Sequence, residues 1–112
     1  MSDQADIVEI YDLLYHLGFS ANNTAFFHLS YAVFLASLNP QWLDPSSWRL
    51  YREVAKQYHT TPLRIYWEIG TIARRFWTQS PDLLCILARR TISAAPAPWE
   101  LLQILAAYVK GK

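Results

Sequence analysis

Arg64, Trp67, Thr71 and Arg74 follow one another at intervals of three, four and three, the spacing that sets side chains along one stripe of an α-helix. Their chemistry suits contact with polar edges. An arginine fork can donate two hydrogen bonds to guanine, a threonine hydroxyl can bond to a base, and an aromatic ring can cover apolar groups. Leu63 and Tyr66 stand at the flank of that stripe near its start. Upstream, Arg49, Arg52 and Lys56 recur at three and four, followed by Thr60 and Thr61, a set suited to phosphate oxygens. The amides at the start of a helix opening after Thr61 would add to such an anion site.

Other chemistry finds little support. Cys85 is the single cysteine and sits in Leu83-Leu84-Cys85-Ile86-Leu87, so it reads as a small buried hydrophobe. His16, His28 and His59 share no ligand spacing, which argues against a metal centre. His16 and His28 read as satisfied helix histidines, and His59 as a cap in a turn ahead of a phosphate contact. There is no Gly-rich phosphate loop or nucleophile elbow, and the carboxylates are scattered. Neither an enzyme nor a bound cofactor is expected.

The elements that must position these residues are helices. Pro, Gly, Ser and Asn cut the chain into about six segments with apolar residues at three-and-four spacing, which predicts an all-α domain of six helices over residues 1–112. A first helix would carry Ile7, Ile10, Leu14 and Leu17 and stop at Gly18. A second, from about Asn22 to Leu38, holds Phe26, Leu29, Val33 and Phe34 and should form the centre of the core. Asp44-Pro45-Ser46-Ser47 offers caps and a first-turn proline for a third helix to Tyr58, packing through Trp48, Tyr51, Val54, Ala55 and Tyr58. Thr61 can cap a fourth helix that starts at Pro62 and commits Ile65, Ile69, Ile72 and Phe76 to the core. Gly70 interrupts it at about 1 kcal/mol relative to alanine, which a close helix crossing, a close approach to a backbone or drift would each explain. Helices from Pro81 to about Arg90 and from about Trp99 to Val109 follow, and Arg89-Arg90 complements the dipole of the former.

Residues 46–77 thus have the layout of a helix-turn-helix, whose second helix enters the DNA major groove while the first braces it. Charge agrees with an anionic partner. Residues 1–45 hold five carboxylates and no Lys or Arg, whereas residues 46–112 hold all ten Lys and Arg against four carboxylates, a net +6. Solvated helix faces and ordinary helical hairpins can show the same features. No run is apolar enough for a membrane span, and the acidic start is unlike a signal peptide, so a soluble, cytoplasmic protein is expected.

The stretch Leu50-Tyr51-Arg52-Glu53-Val54-Ala55-Lys56-Gln57-Tyr58-His59-Thr60-Thr61, followed by Arg64-Ile65 and Ile69, resembles the C-terminal DNA-binding effector domain of the stage-zero sporulation protein A response regulators. Pro98-Trp99-Glu100-Leu101-Leu102-Gln103-Ile104-Leu105-Ala106 resembles the last helix of that family, and the likeness runs from about residue 10 to 110. It implies a six-helix domain that binds double-stranded DNA, often as tandem copies or a homodimer, and regulates transcription. The family's regulators place a phosphorylatable receiver before this domain. This chain reads as effector alone, without aspartyl control in cis.

Two departures bear on what is recognised. Where the family's recognition helix carries an acidic-basic pair and a basic-histidine pair, this chain has Tyr66-Trp67 and Gly70-Thr71. Where its second helix has an oppositely charged pair, Ser30-Tyr31 stands here. Base reading would then fall to Arg64, Tyr66, Trp67, Thr71 and Arg74, with Arg49, Arg52, Lys56, Thr60 and Thr61 on phosphates. The alternative is a protein-binding module on the same scaffold, with Tyr66 and Trp67 as anchors beside Arg64. A third reading folds Trp67 into the core.

Overall fold

A computed structural model of the chain describes residues 6–19 and 24–111. Within them lie six α-helices and no strand: α1 (Ile7–His16), α2 (Thr24–Leu38), α3 (Arg49–Tyr58), α4 (Pro62–Gln79), α5 (Pro81–Ala88) and α6 (Pro98–Lys110). The all-α fold with a helix-turn-helix at α3 and α4 is as the sequence predicts. Asn22 and Asn23, expected to open the second helix, lie outside the described residues.

Local chemistry explains most helix ends. Asp6 caps α1 by accepting the Glu9 N–H at 2.9 Å. Gly18 takes φ +99° directly after that helix, a conformation strained for any side chain. The α3–α4 connection is short because both caps are built into it. His59 adopts the left-handed conformation (φ 55°, ψ 47°) as the C-cap of α3, and Thr60 N–H returns to Ala55 O at 3.0 Å. Two residues on, Thr61 Oγ1 accepts the Arg64 N–H at 3.2 Å, and Pro62 occupies the first helical position.

The start of α3 departs from the expectation. Asp44 does not cap that helix: its Oδ1 accepts both the N–H (2.9 Å) and the hydroxyl (2.8 Å) of Ser46, which closes a local turn around Pro45. These two bonds also hold the Asp44 carboxyl below its ordinary range. The helix therefore begins only at Arg49, and a 3₁₀ turn at Pro40–Trp42, absent from the sequence reading, fills part of the link from α2.

The core is assembled around α2, which lies against α1, α3, α4 and α6. It is apolar on every side, as a central helix must be, and buries Phe26, Leu29, Ala32, Val33, Leu35 and Ala36. Its two buried serines are satisfied within the helix, Ser30 donating to Phe26 O and Ser37 to Phe34 O, each at 2.7 Å. From α4 come Ile65, Ile69, Ala73 and Phe76, and from α6 Leu101, Leu102 and Leu105, all buried. Cys85 is half-buried, and its Sγ accepts the Ile92 N–H at 3.3 Å, pinning the loop before α6.

Gly70 is buried where α4 meets α6, but no close crossing demands it. A Cβ there would meet Arg74 Nη1 at 3.6 Å and Pro98 Cγ at 3.7 Å, both ordinary contacts. Gly70→Ala should therefore stabilise the domain by about 0.5–1 kcal/mol through helix propensity. Urea denaturation checks this, and a lower midpoint for the variant would show that the site needs the bare backbone.

Candidate nucleic-acid interface

With Ile65, Ile69, Ala73 and Phe76 turned inward, the 3.6-residue repeat turns Arg64, Trp67, Thr71, Arg74 and Thr78 outward together, and all five are exposed. Trp67 is 58% exposed and Leu63, one turn earlier, 56%. The reading that buries Trp67 in the core is thus overturned: its ring lies on the side of α4 opposite the core stripe. Thr71 and Arg74 are tied to that surface, since Thr71 Oγ1 donates to Trp67 O at 2.9 Å and Arg74 Nη2 donates to Thr71 Oγ1 at 3.3 Å. These bonds fix where the hydroxyl and the second guanidinium sit.

Tyr66 occupies a different position. It is half-buried, its ring 5.0 Å from Trp48 and 5.5 Å from Tyr51, in an aromatic cluster that joins the start of α3 to the first turns of α4. Burial pushes the Tyr51 phenol up to about 12, the neighbouring Tyr66 adding to the shift, so its hydroxyl remains protonated at neutral pH. Tyr66 thus braces the helix pair as well as flanking its outer face.

On α3, Arg49, Arg52 and Lys56 are exposed on one side. Arg49 lies over the Trp42 ring at 4.6 Å, a cation–π contact that orients it. Lys56 has its ammonium 3.6 Å from Glu53, a surface pair that leaves the side chain 74% exposed. Arg52 has no ion-pair partner among the described residues. Thr60 is half-buried in the turn, and the Thr61 hydroxyl is engaged as the cap of α4.

The pairing that sequence reasoning missed is at Glu68. Its Oε1 is 2.5 Å from His28 Nδ1 and its Oε2 3.5 Å from Arg64 Nε. His28 and Glu68 stand forty residues apart, so no periodicity could have joined them. The only local signal was a histidine on a helix otherwise apolar all round. Elsewhere, His16 Nδ1 lies 2.7 Å from Asp12 O, a bond within its own helix, and Arg90 approaches Glu100 at 3.9 Å.

Among the described residues no group of three or more His, Cys, Asp or Glu could hold a metal ion, and no helix is long and apolar enough to cross a membrane. The arrangement offers cations, hydroxyls and exposed apolar side chains on two helices that pack against each other. Compared with known proteins, residues 10–109 match the family model for the sporulation initiation factor Spo0A C terminal. No curated protein and no solved structure gives a match.

Proposed function

The chain belongs to the Spo0A C-terminal family of helical DNA-binding regulatory domains, and from that premise we propose that it is a transcriptional regulator with a recognition helix of its own. The observation that carries this is the outer face of α4, where Arg64, Trp67, Thr71 and Arg74 are exposed together, with further exposed cations on α3, which packs against α4. In the complex, α4 enters the major groove and Arg64, in its first turn, donates to a guanine. Thr71 and Arg74 act about two and three turns further along. Leu63 and Trp67 supply apolar contact of the kind thymine methyl groups accept. Arg49, Arg52 and Lys56 from α3, with Thr60 and Thr61 at the turn, anchor phosphates, and Tyr66 braces the first turns of α4 from the side.

The test is a fluorescence-anisotropy titration against a randomised duplex pool at two salt concentrations, with the bound sequences recovered. Salt-sensitive binding and an enriched motif are expected, and the length of the protected site shows whether tandem copies or a dimer assemble. Lys56→Ala should weaken selected and random duplexes alike and reduce the salt slope by about 1, because a phosphate contact carries no sequence information. A loss confined to the selected duplex would place Lys56 at a base instead.

The exposure of Leu63 and Trp67 together favours a second reading, a protein-binding face with aromatic and arginine anchors. Absence of duplex binding at low salt would support it, and pull-downs compared between the wild type and Trp67→Ala would then locate the partner.

A further inference from the structure

We propose that Glu68, seated on His28, is a positioning residue that pre-sets Arg64 for base recognition; this rests on the reading of α4 as the DNA-facing helix. Glu68 stands one turn beyond Arg64, and its side chain is only 18% exposed against 69% for Arg64. The carboxylate is divided between two partners. Oε1 faces Nδ1 of His28, which is buried on α2, and Oε2 faces Nε of Arg64 at the surface. An ionised carboxylate only accepts, so Nδ1 of His28 carries the proton in this bond. The His28 ring is held in turn edge-on to Tyr58 of α3, 4.7 Å between centroids. Three helices therefore fix the carboxylate that meets the arginine.

Stability does not account for the arrangement. A buried polar pair is no better than apolar side chains of the same volume and is often worse. Arginine four residues before glutamate is also the less favourable order for an ion pair along a helix. What the geometry does provide is a restraint with the right polarity. The Glu68 carboxylate stands closest to Nε, as an ion pair at 3.5 Å, so both terminal nitrogens of Arg64 stay open for the two-pronged contact with guanine O6 and N7. A long side chain that is already held loses less rotamer freedom on binding, and the gain applies only where the fork meets its matching base. On random DNA, the same carboxylate opposes the phosphates. That repulsion is common to selected and random duplexes, so Glu68 raises the ratio of specific to non-specific binding through the restraint.

Glu68→Gln tests this with the fold kept, since one amide oxygen still accepts from His28 but cannot serve Arg64 at the same time. Binding to random duplex should hold or rise, and the ratio of selected to random affinity should fall about five- to tenfold, which lies within the coupling found between residues in contact. In an Arg64→Ala background, Glu68→Gln should leave that ratio unchanged. A DNA-free readout accompanies these: the order parameter of the Arg64 Nε–H vector should fall from the wild type to Glu68→Gln, as the ion pair that restrains the side chain is lost. A selective wild type whose ratio does not move in Glu68→Gln overturns the positioning role, as does an equal fall in the Arg64→Ala background or an Arg64 signal indifferent to the substitution. A wild type with no sequence selectivity overturns the DNA reading itself, and this inference with it.

Discussion

Arg64→Ala is expected to lose about 1–3 kcal/mol on the selected duplex, to lose far less on random DNA, and to relax one base preference in the recovered motif. The argument starts from the first turn of α4. Thr61 caps that turn and Pro62 opens it, so the backbone carrying Arg64 is fixed at its start. The side chain is 69% exposed, and among the described residues its one ion pair is to Glu68 at 3.5 Å, through Nε. Such a surface pair contributes little to folding, so thermal stability should hardly change. Arg64→Lys separates the two parts of the effect. It retains the charge, and with it most random-duplex binding, but loses the planar fork and therefore the base preference. Affinity measurements on both duplexes, with the selection repeated for each variant, decide the matter. Equal losses on selected and random DNA would move Arg64 from the base to the backbone.

How much of this interface was legible in the sequence depends on the range over which each signal acts. The caps were legible because they are local: Thr61-Pro62 and Gly18 meet a backbone requirement within a few residues of themselves. The core stripe of α4 was legible because helical geometry repeats: Ile65, Ile69 and Phe76 are buried as their spacing demands, while Ile72 is only half-buried and Ala73 lies in the core beside it. The start of α3 was misread within the same short range, since Asp44 could close its own turn or cap a helix and composition does not distinguish these. Contacts between distant segments lay beyond periodicity. Nothing in the order of residues says that Trp48 covers Tyr66, or that His28 reaches Glu68. The position of Trp67 is intermediate: its spacing set it opposite the core stripe, but only the packing of the other helices shows that none of them covers it.

That division of α4 into two faces leads to the largest expected change in stability. Ile69 is fully buried on the core stripe, and truncating it leaves a cavity among close-packed neighbours. Ile69→Ala should cost about 2–5 kcal/mol, which for a domain near 100 residues lowers the melting temperature by about 4–8 °C per kcal/mol. Trp67 lies only two residues away, yet Trp67→Ala removes a ring that is mostly in water, and its effect on stability should stay within about 0.5 kcal/mol. Binding should show the reverse order. At a temperature where both variants remain folded, Ile69→Ala should approach wild-type affinity, whereas Trp67→Ala loses the apolar contact made by the outer face. Thermal denaturation and anisotropy titration of the pair measure both quantities. A strongly destabilised Trp67→Ala would place the ring in the core after all, and undiminished binding by a stable Trp67→Ala would remove it from the interface. The comparison tests the face of the helix as the cause, because the two residues share a helix and solvent conditions and the larger side chain, Trp67, is the one expected to matter less for stability.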